Sequence, residues 1–256
     1  MPRRKPVAAA EAAVANTWLY PVLAIVGILL SSLIWSRLLR RKPEARDPRM
    51  VYIYLAALGG AFFGAKAAYL FAEGWMHWPD YAEHPALVWR QWLTGKSITG
   101  ALLGGYGAVE LVKRLTGYRS ATGDLFAVIA PLGLVLGRVG CLASGCCLGR
   151  PMEPAWYTLA DRAGISRWPA VPVELSFNLA LAGFALICWR RRLFTGQLFH
   201  LYLVCYGVFR FAHEFNRDTP RMAWGLSGYH LLALAITLLG LLRYVQRARS
   251  PVQNAV

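Results

Sequence analysis

Apolar residues along this chain gather into seven runs separated by short polar or charged stretches. The runs are Trp18–Trp35, Val51–Ala72, Ile98–Leu115, Leu125–Cys141, Val173–Trp189, Gln197–Phe215 and Gly225–Tyr244, each near the length a helix needs to cross a bilayer. The pattern predicts an all-α polytopic membrane protein with seven transmembrane helices. Glycine and charge dilute the third and fourth runs. The first is too long for a signal-peptide core and no cleavage site follows it, so it is expected to be a retained span. Residues 1–256 read as a single integral membrane domain, with a polar N-terminal segment at 1–17 and a C-terminal tail at 246–256.

Composition agrees with the pattern. Hydrophobic residues make up 57% of the chain and mean hydropathy is +0.38, beyond the apolar share of soluble domains. The net charge of +15 fits loops that set topology and meet anionic headgroups. Nucleic-acid binding would need a soluble basic face, and none is legible. With seven spans, the loops around Ser36–Met50, Val112–Thr122 and Arg190–Gly196 hold more lysines and arginines than the opposite set. That bias predicts an outer N-terminus and a cytoplasmic C-terminus, although Arg3, Arg4 and Lys5 pull the other way.

Two connections stand out. Glu73–Thr94 mixes tryptophan with polar residues and is expected to lie as an interfacial arm on the outer surface, either as an aromatic belt or in contact with substrate. Arg150–Pro172 is polar and proline-rich, long enough to fold over an outer-leaflet site.

Charge inside the apolar runs carries the chemistry, because an ion within a bilayer needs a partner or a polar cavity. Arg210 and Glu214 are four apart and share a helix face, as do His213 and Arg217. Lys66 and Arg138 are further intramembrane cations, and Glu110 is a carboxylate that needs a partner. The surplus of cations suggests an anionic ligand. A phospholipid phosphate is the natural one within a bilayer, and arginine binds it through two hydrogen bonds. Gly100, Gly104 and Gly107 give the third run a flat face, suited to close helix packing or to lipid.

The densest stretch is Gly137–Pro151, with Arg138 and Arg150 around Cys141, Cys146 and Cys147. The spacing Cys-x4-Cys-Cys is not a recognised zinc spacing and no histidine lies nearby in sequence, so no metal or cofactor is expected. A disulfide, a thiolate activated by Arg138 and Arg150, and small apolar packing all stay open. Cys188 and Cys205 read as packing residues.

These residues resemble the prolipoprotein diacylglyceryl transferases, bacterial membrane enzymes. Gly137-Arg138-Val139-Gly140-Cys141 through Gly149-Arg150 looks like their Gly-Arg-x-Gly-Asn…Gly-Arg signature. Phe63–Tyr69 resembles the second-span block, with Lys66 at its arginine, and Gly95–Ala101 resembles Gly-x-Ser-x-His-Gly-Gly. Asp124 with Ala130-Pro131, then Pro172–Leu175, then Tyr206–Arg217 match three more blocks in order.

The resemblance implies transfer of a diacylglyceryl group from phosphatidylglycerol to the lipobox cysteine of a prolipoprotein signal peptide, with loss of glycerol phosphate, in the bacterial inner membrane. By position, Arg138 and Arg210 would hold the phosphate, and Glu214 would orient Arg210. Lys66, Gly100, Gly137, Gly140, Gly149, Arg150 and Arg217 would contact lipid substrate. Thr99 stands where the family has its proposed histidine base, Cys141 where it has asparagine and Cys146 where it has glutamate. The block His-Pro-x-Gln-Leu-Tyr-Glu has Val171 for its histidine and Ser176 for its tyrosine. The phosphate-gripping half is retained and the proton-handling half has changed. A transferase with another acceptor, or a lipid-binding or thiol-redox relative, therefore stays open beside the family reaction.

Overall fold

The computed structural model describes residues 19–40 and 47–249. The predicted N-terminal segment 1–17 and most of the tail, from 250 onward, lie outside the described residues. The fold is mainly helical. Its helices are α1 (Leu19–Leu39), α2 (Arg49–Glu73), α3 (Trp78–Glu83), α4 (Ala86–Thr94), α5 (Ile98–Leu115), α6 (Gly123–Ala143), α7 (Ala170–Arg190), α8 (Leu198–Glu214) and α9 (Gly228–Ala248). One two-stranded antiparallel hairpin, β1 (Leu159–Ala160) with β2 (Ser166–Arg167), interrupts the helical pattern in the loop after α6.

Every predicted apolar run has become a helix. Five of these are long and apolar enough to cross a membrane: Pro21–Leu39, Arg49–His77, Gly123–Ala143, Ala170–Arg190 and Gly228–Ala248. The protein is thus a membrane protein with five such helices among the described residues. The two that fall short are α5 and α8, which carry Glu110, Lys113 and Arg114, and Arg210, His213 and Glu214. Polarity that serves the interior of a bundle lowers the hydropathy by which a span is recognised, and α8, at 17 residues, is also shorter than the others.

The bundle is apolar outward as well as inward. On α9, Leu231, Leu234, Leu238 and Leu241 are exposed at helical spacing, while Ala233, Ile236 and Gly240 are buried. An exposed leucine stripe of this kind is stable against lipid and costly against water. Inside, Tyr202, Leu203, Tyr206 and Ile236 are fully buried and stack α8 against α9.

Glycine sets how closely α2 and α5 approach. A Cβ at Gly64 would strike the Gly100 carbonyl, and one at Gly104 would strike the Gly60 carbonyl. Gly107, on the same helix, has nothing within 4 Å of where its Cβ would stand. Gly104→Leu is therefore expected to cost about 1–3 kcal/mol through forced separation of the two backbones. Gly107→Leu should leave the thermal midpoint in detergent unchanged. Equal midpoints for both variants would remove the packing role.

Helix ends join the elements across the bundle. The Asp124 carboxylate, in the first turn of α6, accepts from the backbone N–H groups of Gly196 (2.7 Å) and Leu198 (3.2 Å) and so fixes the start of α8. Ser97 caps α5 by accepting from Gly100 N–H at 3.2 Å. The Ser227 N–H donates to His230 Nδ1 at 3.0 Å, closing the first turn of α9. The predicted interfacial arm is a 3-10 turn (Gly74–His77) followed by α3 and α4, with Trp75, Met76, Trp89 and Leu93 exposed.

Candidate active site

The C-terminal ends of α6 and α8 and the N-terminal end of α7 meet at one end of the bundle, and a cluster of buried ions lies there. Glu174, on the first turns of α7 and 1% exposed, is its centre. Arg138 Nη2 donates to Glu174 Oε1 at 2.7 Å. Arg210 Nη1 donates to Glu174 Oε2 at 3.3 Å, and Arg217 Nη1 lies 3.7 Å from the same oxygen. The Tyr206 hydroxyl donates to Glu174 Oε1 at 3.0 Å. Arg210 also pairs with Glu214 at 2.7 Å, one helical turn along α8. Glu214, fully buried, accepts further from Ser227 Oγ at 3.1 Å and Thr219 Oγ1 at 2.6 Å.

Three guanidiniums thus surround two carboxylates at ion-pair distance. Arg138 and Arg210, expected to await a phosphate, are each already held by a glutamate. Arg138 is not fully spent, and neither is Arg217. Arg138 Nε and Arg217 Nε are buried and have no hydrogen-bond partner. Leaving such a donor unmet costs about 1–3 kcal/mol, more when charged, and a cost of that size is expected where a ligand completes the site.

The thiols stand against this cluster. Arg138 Nη1 lies 3.8 Å from Cys141 Sγ, and Cys141 Sγ lies 3.8 Å from Cys147 Sγ. The three sulfur atoms of Cys141, Cys146 and Cys147 all fall within 4.8 Å of one another. Helix capping brings them together. Gly145 takes φ +59°, its N–H bonds Leu142 O at 3.2 Å, and Cys146 N–H bonds Cys141 O at 3.1 Å. That is the glycine-terminated turn which folds the residue after the glycine back onto the last full turn of the helix. Cys147, also at positive φ (59°), turns the chain once more and brings in the third sulfur. Cys147 lies below its ordinary thiol value because the Cys141 and Cys146 thiols hydrogen-bond to it, with Arg138 and Arg217 acting in the same direction. The same pairing pushes Cys146 up.

The remaining predicted residues are distributed as follows. Thr99 is buried beside the start of α5, its hydroxyl 2.8 Å from Ser97 Oγ. Gly100 packs against α2 at Gly64 and Ala68. Lys66 is buried, takes no part in the ion pairs above and donates to Leu93 O at 2.6 Å. Gly137 has nothing within 4 Å of where its Cβ would stand, and Gly140 is buried in the last turns of α6. Gly149 is pressed against Trp168, where no Cβ fits, and its carbonyl accepts from Arg167 Nη1 at 3.1 Å. Arg150 was expected to contact lipid substrate, with activation of the cysteines one of three open readings. It is exposed and joins the loop through its backbone, which bonds Asn216 O (2.9 Å) and Trp168 N–H (3.0 Å). His213 Nε2 is 3.1 Å from Ala170 O, and among the described residues no carboxylate pairs with it. Glu110 has found Lys113, 3.4 Å away, at the other end of the bundle.

Sequence reasoning left Glu174 and Tyr206 out of the site. The signal for Glu174 was present, since a carboxylate just inside an apolar run obeys the rule that singled out Glu110. Tyr206 is an ordinary aromatic until Glu174 is placed beside it.

The prolipoprotein diacylglyceryl transferase family matches residues 8–246 of the chain. The chain belongs to that family. A phosphatidylglycerol–prolipoprotein diacylglyceryl transferase from Symbiobacterium thermophilum is 29% identical across 97% of this chain and 95% of its own length. One from Rhodospirillum centenum is 28% identical across 99% and 95%, and one from Bordetella avium is 34% identical across 66% and 67%. Two of the positions discussed above lie against the arginines of this prolipoprotein diacylglyceryl transferase chain, whereas Thr99 bonds Ser97. Cys141, at the signature asparagine, touches Arg138, and Glu174, at the family's glutamine, binds Arg138, Arg210 and Arg217.

The loop after α6 is braced by a second ion network. Arg167 pairs with Asp161 through Nε and with Asp218 through Nη1 at 2.9 Å, tying the hairpin to the end of α8. Asp161 is held below the usual carboxylate range, first by the Arg167 hydrogen bond and then by the backbone N–H groups of Ile165 and Ala163. A lowered carboxylate pKa stabilises the fold above its unfolded value, near 4, and that contribution fades as pH falls through the lowered value. Proteolysis within 150–168 is therefore expected to rise below about pH 4. Asp161→Asn should show the same sensitivity at neutral pH. A variant as resistant as the parent at neutral pH would count against the brace.

Proposed function

We propose that this protein transfers the diacylglyceryl group of phosphatidylglycerol to the thiol of a prolipoprotein lipobox cysteine. The observation that carries the reading is the buried cluster in which three guanidiniums share two carboxylates and keep two N–H donors unspent. The phosphodiester of phosphatidylglycerol is a monoanion, and such a cluster would welcome it. During transfer the acceptor sulfur forms a bond to the glyceryl carbon while the carbon–oxygen bond to phosphate breaks. Glycerol phosphate departs with the bonding pair and gains charge. Fixed guanidiniums in a water-poor site stabilise that developing charge more than the ground state, which is what accelerates the step. Glu174 and Glu214 hold the guanidiniums in place before lipid arrives.

This reading places all seven long helices across a bacterial inner membrane, α5 and α8 included, as a single integral domain. The cluster then faces outward, with the N-terminus outside and the C-terminus in the cytoplasm. The arm of α3 and α4 lies in the outer interface, and the hairpin loop covers the site.

The test is lipid transfer by the full chain in phosphatidylglycerol nanodiscs, with a lipobox peptide as acceptor and mass spectrometry as readout. A peptide heavier by one diacylglyceryl group supports the proposal. Release of glycerol phosphate with an unmodified peptide would mean that the acceptor is another molecule. Neither product would overturn the transferase reading.

A further inference from the structure

We propose that Cys141, Cys146 and Cys147 bind one zinc-class divalent cation through three thiolates, leaving a fourth coordination position for an incoming thiol. The geometry is that of a ligand set. With Zn–S bonds of about 2.3 Å, two sulfurs of a tetrahedral centre stand about 3.8 Å apart. Cys141 Sγ and Cys147 Sγ are 3.8 Å apart, and the third sulfur lies within 4.8 Å of both. A disulfide would join two of the three at about 2.05 Å and leave the convergence of the third without purpose.

Convergence of three thiols is built into the backbone. The glycine-terminated end of α6 sets Cys146 against Cys141, and Cys147 holds a left-handed conformation (φ 59°) that a side chain adopts only at a cost of about 1–3 kcal/mol. Small packing residues would not need that strain.

Charge fits as well. Three thiolates on a divalent ion carry one net negative charge. Arg138 lies 3.8 Å from Cys141 Sγ and belongs, with Arg210 and Arg217, to the guanidinium cluster around Glu174. Three guanidiniums against two carboxylates leave one positive charge in the cluster, which offsets that of an anionic metal–thiolate centre.

Three protein ligands and one open position characterise catalytic rather than structural zinc. What such an ion supplies is a deprotonated sulfur nucleophile, since a thiol that coordinates it loses its proton. Here the inference rests on the proposed transfer reaction. Its acceptor is a thiol, and Thr99, with its hydroxyl tied to Ser97, offers no base at the position of the family's histidine. On coordination the acceptor S–H proton passes to solvent. The sulfur then attacks the glyceryl carbon, and the carbon–oxygen bond breaks toward the phosphate at the arginines.

The test uses the full chain, purified in detergent under anaerobic reducing conditions and stripped by a chelator. Titration with Co²⁺ should give one ion per chain, with a thiolate-to-metal charge-transfer band and the visible bands of a tetrahedral site. One equivalent of Zn²⁺ should abolish both. Cys147→Ser should weaken Zn²⁺ binding at least tenfold, about 1.4 kcal/mol, and the triple serine variant should bind none. Cys205→Ser, outside the trio, should bind like the parent. Failure of the parent to bind, retention of binding by the triple variant, or recovery of two of the thiols as a disulfide would each overturn the metal site. A lipobox peptide should shift the Co²⁺ bands. A full Co²⁺ spectrum with no lipid transfer would sustain the site while the proposed reaction falls. Full transfer by the triple variant would sustain the reaction and overturn the use of the metal in it.

Discussion

Arg138→Ala should lower the rate of diacylglyceryl transfer by about two to three orders of magnitude at saturating lipid, the usual effect of deleting one preorganised donor to a developing anion. Arg138 bridges the carboxylates and the thiols and, like Arg217, keeps a buried N–H without a partner among the described residues. One Nη serves Glu174, the other approaches Cys141, and Nε has no partner. The variant is also the cleanest of the arginine deletions in structural terms. Glu174 keeps Arg210, Arg217 and Tyr206, so no carboxylate is left alone in the bundle. Activity should therefore fall much further than thermal stability. Arg138→Lys retains the charge but not the planar fork, and should recover a minor part of the rate. Transfer by Arg138→Ala within tenfold of the parent would remove this residue from the phosphate site, whatever the stability.

Helix positions were legible because membrane helices announce themselves by length and apolarity, and each predicted run overlaps an observed helix. The hairpin of 159–167 was not legible, since its strands are two residues each and its stability comes from Arg167 pairing with Asp161 and Asp218. Spacing along α8 was enough to foresee the Arg210–Glu214 pair, four residues apart on one helix. It could not foresee that Glu174, on another helix, would take up Arg138 and Arg210 together, because that contact depends on how α6, α7 and α8 converge. For the cysteines, Cys-x4-Cys-Cys matches no zinc spacing on an extended chain. It becomes a ligand spacing only once Gly145 ends α6 and reverses the backbone. Gly100 carries the opposite lesson. Packing of α5 against Gly64 and Ala68 of α2 is by itself enough to require glycine there.

Glu174→Ala should be the most destabilising single change in the bundle, by about 3–5 kcal/mol, the cost of removing one partner from a buried ion pair. Among the described residues Arg138 would lose its one carboxylate within ion-pair distance, and only Arg210 and Arg217 would keep a partner, in Glu214. No water-filled route to relief is offered, because Glu174 is 1% exposed and Arg138 and Arg210 are buried with it. A large fall in the thermal midpoint in detergent, or failure to accumulate in the membrane, is the expected reading. Glu174→Gln separates charge from shape. Its amide oxygen still accepts from Arg138 and Tyr206, so the fold should survive, yet one negative charge is gone from the cluster. Anionic lipid should then bind more tightly than to the parent, with steeper weakening by salt, because phosphate replaces the missing carboxylate. Unchanged lipid affinity in a folded Glu174→Gln protein would mean that the cluster braces the helices and holds no headgroup.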